Sequence, residues 1–484
     1  MTTLARALER WFGIILAMII LSALLPRGVH NSVSHAAISD GWWLADGYGL
    51  LLEIGGDTLR AFEVTSLSCL PSWSGRHTAN DVISPGRTFT GDAGTVHLSA
   101  GTNAESMRMR RDGTVSDIVL RRISPQSKRC IEVPENIPQA NYAIFWQTFA
   151  EQYPFFELRH IDWRAMDDKW RPQVTLATTP LDLFRIFRKM IEPLQDAHTG
   201  LVAPDIHQVF DGTRDDPNHS NETDWKKVNE IIESRYLFGN LKSFCRGHLQ
   251  FGVLGGAIGY FQVTAFFGYV DTERYGDALE ALKLALDTVF SQSGKLIGLV
   301  IDLRLNRGGD DALGLEIASR LANKRYLAYA KAARLDPQNP RLFTVPQQVW
   351  VVPSTRPGFR GGVVLLIGPD TVSAGETFTM ALMGRDPHVT RVGLNTQGVF
   401  SDVLSRRLPN GWRFRLPNEI YFASDGRSYD GLGVPPEIRI AIYSKDDFKR
   451  GRDSALEGAL KIINSSDGGL RKSQSAKLKA FSGR

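Results

Sequence analysis

One short unit occurs twice in this chain, and it limits the possible folds more than any other feature. A near-continuous apolar run, Leu296–Leu303, is followed by the turn Asn306-Arg307-Gly308-Gly309-Asp310 and by a helical stretch from Ala312 to Ala322. The second copy is Val363–Ile367, then Gly368-Pro369-Asp370-Thr371-Val372, then a helix opening at Ser373. An apolar run without polar alternation is the pattern of a strand covered on both faces. A strand, a tight turn and a helix, used twice, predict parallel neighbours. The two turns then meet at one end of the sheet, where open α/β folds place their sites. A helix over 273–292, apolar at Leu279, Leu282, Leu286 and Val289, leads into the first unit. We therefore expect an α/β core over 246–445.

The rest of the chain divides around that core. Residues 40–132 read as a small β domain, with Gly55-Gly56-Asp57 separating Leu50–Ile54 from Leu59–Val64, and Asp112-Gly113 separating Met107–Arg110 from Val115–Leu120. Residues 133–245 read as a helical domain. Trp146, Phe149 and Tyr153 share one helix face, and a second helix carries Leu181, Phe184, Phe187, Ile191 and Leu194 behind the cap and first-turn proline Thr179-Pro180. The polar stretch 203–233 is expected to be a surface loop, and 446–484 a basic tail. The fold class is thus multidomain α/β. Among 484 residues, 43% are hydrophobic and no period of 20–50 residues recurs, which excludes a disordered chain and a solenoid. The net charge of +5 equals the contribution of Arg471, Lys472, Lys477, Lys479 and Arg484, so no basic stripe marks a nucleic-acid partner.

The first 37 residues have the form of an export signal: Arg6 and Arg10, an apolar run Trp11–Leu25, Pro26, and the small-residue stretch Ser34-His35-Ala36-Ala37. Fifteen apolar residues are fewer than the ~20 that span a membrane. A cleaved signal peptide is the first expectation and an uncleaved N-terminal anchor the alternative, either placing the protein in the periplasm or outside the cell. Cys69 and Cys130 lie in one candidate domain and can pair, leaving Cys245 alone, while three buried thiols are the alternative. No Cys or His pair has metal-ligand spacing, so neither metal nor cofactor is expected.

Ser373 opens a helix directly after a buried strand, with its hydroxyl at the positive end of the helix dipole. Ala374 and Gly375 are small enough to admit a substrate carbonyl beside it. The same residues also spell a capping box, Ser373-x-x-Glu376, which needs no chemistry. A serine nucleophile requires a base. No lysine occurs between Lys331 and Lys445, which excludes a serine–lysine pair close in sequence. Of the ten histidines, His198 is best placed, in a turn after an amphipathic helix, although a turn histidine is often mere surface. Asp430 could orient it or be an ordinary turn acid. Gly308 and Gly309 could present N–H groups as an oxyanion hole or form a plain tight turn.

Four motifs in order weigh these alternatives: Asp196-x-His198-Thr199, Ile301-Asp302-Leu303-Arg304-x-Asn306-x-Gly308-Gly309, Ser373-Ala374-Gly375-Glu376, and Asp430-Gly431-x-Gly433-Val434-x-Pro436. Together, over roughly 140–440, they resemble the C-terminal-processing (tail-specific) serine peptidases, a resemblance that implies a crotonase-like catalytic core. One branch of that family carries a lysine in a Gly-x-x-Thr-x-Gly-Lys segment after the serine. Here the stretch is Gly393-Leu394-Asn395-Thr396-Gln397-Gly398-Val399, with Val399 at the lysine position. The chain is therefore similar to the histidine-using branch, that of the tricorn core and the chlamydial protease-like factor.

Carried over by motif, Ser373 is nucleophile, His198 base and Asp430 orienter, although glutamate is usual at the last position. Gly308 or Gly309 and Ala374 are the oxyanion donors. A histidine base predicts activity that falls below pH ~6–7. Tail-specific members hold the substrate C-terminus in a PDZ module, for which the roughly 45 residues between Leu201 and Cys245 are too few. The expectation is an exported serine endopeptidase acting on polypeptides through an acyl-enzyme. The alternative is a non-catalytic binder of lipophilic ligands, because the resemblance extends to interphotoreceptor retinoid-binding protein.

Overall fold

The two strand–turn–helix units lie side by side in the computed structural model, which describes residues 38–78, 86–126, 130, 132, 134–213, 222–272 and 274–465. The candidate export signal and the basic end 471–484 fall outside the described residues. Strand Gly298–Asp302 pairs in parallel with Gly362–Ile367, register Leu299 to Val363 and Ile301 to Leu365. Ile258–Val263 flanks the first and Val389–Gly393 the second, also in parallel, within a seven-stranded sheet. All five residues of Gly298–Asp302 are buried, as a continuous apolar run requires.

Strand alternation divides the core into two layers. Leu299, Ile301, Val363 and Leu365 face the helices Tyr275–Phe290, Asp311–Leu321 and Ala374–Met383 through Leu286, Ile317 and Phe378. Val300, Val364, Leu366 and Val392 point the other way, onto Val228, Ile232, Ala455, Leu456, Ala459 and Ile463.

That second layer corrects two expectations. The polar stretch 203–233 is not all loop: it contains the strand Gln208–Asp211 and the helix Glu222–Ile231, whose Val228 is buried against the sheet. Nor does the chain become a tail at 446, since 454–465 is helical and covers the sheet. A β-carbon on Gly298 would come within 2.4 Å of Ile463 Cγ2, so the helix lies directly on the strand. The spacing of Ala455, Leu456, Ala459 and Ile463 carries the helical period, but the charged residues around it read as tail. Arg304 ties this layer to the first motif: wholly buried, it pairs with Asp302 at 2.6 Å and Asp453 at 2.7 Å.

Residues 41–123 form the expected β domain, closed into an eight-stranded antiparallel barrel because Gly41–Ala45 pairs with both Leu50–Gly55 and Ile118–Ile123. Its interior is filled by Trp43, Leu52, Leu59, Phe89, Leu98, Met109 and Leu120. Closure leaves no free sheet edge. Cys69 and Cys130 are joined in a disulfide, and Cys245 is free and half-buried.

The helices Pro138–Gln152 and Pro180–Ile191 appear where the periodicity places them, and the Thr179 hydroxyl caps the second by accepting the Asp182 N–H at 3.2 Å. They do not form a separate body. Their aromatic cluster, Phe145, Phe149 and Phe187, includes Trp412 and Phe414 from a four-stranded sheet in which Gly200–Ala203 pairs with Arg413–Pro417. That pairing carries the loop before Gly200 to the α/β core.

Candidate active site

The turns after the two parallel strands interlock at the sheet's end. The Thr371 hydroxyl donates to the Leu303 carbonyl at 2.8 Å, and the Val372 N–H donates to the Asn306 carbonyl at 3.0 Å. Between these anchors Ser373 is forced to φ 56° and ψ −120°. An ordinary N-cap residue sits in the β region, so capping alone does not call for this conformation. Such backbone costs of the order of 1–3 kcal/mol and is retained where the surroundings over-determine it, typically at functional turns.

Gly308 is the neighbour that shapes this turn. A β-carbon on it would lie 2.7 Å from Ser373 Cβ and 3.2 Å from the Ala374 nitrogen, and its φ of +80° already favours glycine. Its own N–H donates to Asn306 Oδ1 at 2.9 Å. Of the three expected oxyanion donors, Gly308 is therefore already committed. The Gly309 and Ala374 N–H groups meet no acceptor among the described residues. The small side of Gly375 does not admit substrate as expected, because a β-carbon there would meet Asn306 Oδ1 at 2.6 Å.

Segment 396–402 connects the remaining residues. The Val399 carbonyl accepts the Ser373 N–H at 3.1 Å, and the Gly398 carbonyl accepts the Gly431 N–H at 2.7 Å, next to Asp430. Val399, at the lysine position of the other branch, is buried. The serine and the acid thus hang from adjacent peptide units.

His198 is only 9% exposed, which removes the surface reading. Its turn is held by Asp196, whose Oδ1 accepts the His198 backbone N–H at 2.9 Å and whose Oδ2 accepts the Tyr153 hydroxyl at 2.9 Å. Burial pushes the imidazole pKa below its ordinary value, only partly opposed by the charges of Asp196 and Asp402. The ring is thereby kept neutral, and its Nδ1 is buried without a partner among the described residues.

Asp430 is likewise buried. Its Oδ2 accepts the Ser428 hydroxyl at 2.9 Å and the Tyr421 N–H at 3.3 Å, while its Oδ1 has no partner among the described residues. Burial, with Glu376 and Asp196 nearby, pushes its pKa up to about 8. No hydrogen bond joins the His198 ring to Ser373 or Asp430 in this structure. Catalytic hydrogen bonds are often long without substrate and tighten when it binds.

Sequence reasoning missed a charge cluster, Lys331 and Glu419 buried and Asp402 exposed, whose Asp402 charge is felt at His198. Lys331 pairs with Asp402 at 2.6 Å and Glu419 at 3.2 Å, and the Tyr48 hydroxyl, from the barrel, donates to Glu419 at 2.6 Å. These acids hold the Lys331 pKa above its ordinary value, so the amine stays protonated and is no base. Its members lie far apart in the chain, in no shared motif. The barrel also reaches the Gly308-Gly309-Asp310 turn, where a β-carbon on Gly113 would stand 3.0 Å from Asp310 Oδ1.

Residues 257–440 match the model of Peptidase family S41, and residues 134–192 match that of the Tricorn protease C1 domain. Among solved structures, the chain is similar to a candidate peptidase from Parabacteroides merdae, with 25% identity and a TM-score of 0.57 over 68% of this chain and 97% of that one. It is also similar to mature CPAF complexed with lactacystin, with 10% identity and a TM-score of 0.48 over 67% of this chain and 97% of that one. For the tricorn protease the values are 14% and 0.41, over 89% of this chain and 47% of that one. No curated protein matches.

Proposed function

Because this chain is a serine-type peptidase with a family S41 core, we propose that it is an exported endopeptidase that cleaves polypeptides through an acyl-enzyme formed on Ser373. His198 takes the serine proton and returns it to the leaving amine, and Asp430 orients the imidazole. The observation that carries this reading is the Ser373 turn: a strained serine at a helix N-terminus, pressed on Gly308, beside two N–H groups without acceptors among the described residues. Those groups, on Gly309 and Ala374, are the proposed oxyanion donors, displacing Gly308.

Two further observations support the triad. His198 is neutral and can accept a proton, and the two atoms a triad would join, a ring nitrogen and a carboxylate oxygen, are buried without partners among the described residues. Buried polar atoms left unpaired are rare enough to need a reason. The parallel strands with covering helices are consistent with a crotonase-like core. The disulfide is consistent with export, since such bonds persist in oxidising compartments.

The test is a fluorophosphonate probe on the purified protein. Label mapping to Ser373, with Ser373→Ala folded but unable to hydrolyse an unfolded protein, supports the mechanism; undiminished cleavage by Ser373→Ala rejects it. His198→Ala should be nearly inactive. Intact mass of the exported form tests the leader, with a mass beginning near Ala37 or Ile38 expected and one including Met1 leaving the anchored form.

A further inference from the structure

Glu376 receives more hydrogen bonds than a helix cap needs. The residue is fully buried. Its Oε1 accepts the Thr396 hydroxyl and the Gly398 N–H, both at 2.6 Å, and its Oε2 accepts the Val399 N–H at 2.8 Å and the Ser373 N–H at 3.3 Å. Only the last of these belongs to a capping box. The other three donors come from a loop at least 20 residues downstream.

That loop is the one from which the site hangs. Val399 returns its carbonyl to the Ser373 N–H, Gly398 returns its carbonyl to the Gly431 N–H beside Asp430, and the Gln397 N–H reaches the Thr371 carbonyl at 3.1 Å. One carboxylate therefore sits where the nucleophile turn and the segment bearing the acid are joined. We propose that Glu376 is a positioning residue for catalysis, fixing the Ser373-Ala374 backbone against the Asp430 segment, and that this role rests on the active-site reading above. The chemistry suits a carboxylate, which accepts at both oxygens. Glutamine would turn an NH2 group toward two of the four donors and leave them unpaired. Aspartate keeps both acceptors but is one methylene shorter.

The experiment compares Glu376→Gln and Glu376→Asp with wild type in melting temperature, kcat and KM on a peptide substrate, and the rate of fluorophosphonate labelling. Glu376→Gln should fold, lose about 30-fold or more in kcat with KM changed less than about threefold, and label more slowly. Glu376→Asp should recover part of that kcat, which a purely structural cap would not require. A Glu376→Gln enzyme with wild-type kcat, or one altered only in KM, overturns the proposal. Failure of the wild type to label at Ser373 overturns the active-site reading instead. Should Glu376→Gln not fold, Thr396→Val removes one donor to the same carboxylate. It should lower kcat about threefold or more while Thr396→Ser does not, and wild-type kcat in Thr396→Val overturns the role.

Discussion

Gly308 and Ser373, 65 residues apart in the chain, touch so closely that a β-carbon on the glycine would come within 2.7 Å of the serine β-carbon. The nearest other atoms are the Val372 carbonyl oxygen and the Ala374 nitrogen, so nothing flexible can yield. Gly308→Ala is expected to lower kcat by ~10² or more, by displacing the nucleophile turn and the Ala374 N–H together. Gly239→Ala is the control, since Gly239 has φ +77° but open space around it. It should lose about 1 kcal/mol of stability and retain activity.

Asp430→Asn should cost ~10²–10⁴ in kcat with little change in KM, because an amide favours the wrong imidazole tautomer. The pH dependence identifies the group. Burial holds Asp430 at about 8 and pushes His198 below its ordinary ~6.5. If orientation needs the carboxylate, kcat/KM rises with pH through a limb near 8 rather than at the ~6–7 of an ordinary imidazole. That limb should vanish in Asp430→Asn. A folded pKa raised above its unfolded value contributes stability fully present below pH ~4 and lost as pH rises through the folded value. Thermal melts should therefore show wild type losing stability relative to Asp430→Asn between pH ~4 and 8.

Arg304 is buried between Asp302 and Asp453, the second from the layer that follows the core motifs. Replacing Asp453 leaves Arg304 paired with Asp302, so the loss is that of a buried charge-assisted hydrogen bond, about 1.5–3 kcal/mol. Asp453→Asn should lower the urea midpoint accordingly, with the slope unchanged. Asp386→Asn, which breaks the exposed pair with Lys324, should shift stability by less than ~1 kcal/mol. Equal small shifts in both would show that 454–465 does not depend on Arg304.

The Cys69–Cys130 disulfide closes a loop of 61 residues, worth ~4 kcal/mol in the chain-entropy model. Reduction should lower the melting temperature, and Cys69→Ser/Cys130→Ser should reproduce the drop. Cys245, whose thiol burial pushes up to about 12, should resist alkylation at pH 8 until the protein unfolds. A rapidly modified thiol in the native protein would contradict this.

What is legible in the amino-acid sequence alone is local pattern. The apolar runs and glycine turns around 296–310 and 363–373 specify parallel strands because both a doubly covered strand and its turn are written in consecutive residues. The four motifs point to Ser373, His198 and Asp430 for the same reason, and alternation with tight turns marks the β domain. Other features depend on residues far apart in the chain. Nothing local says that Gly41–Ala45 closes a barrel against Ile118–Ile123, or that Asn306 Oδ1 accepts the Gly308 N–H. The helix at 454–465 has the right spacing, but only the exposed face of the sheet gives its four apolar residues something to cover. The burial that neutralises His198 and raises Asp430, and the four donors that meet on Glu376, exist only once separate segments pack together. A pKa and a hydrogen-bond acceptor are properties of an environment, and the environment is tertiary.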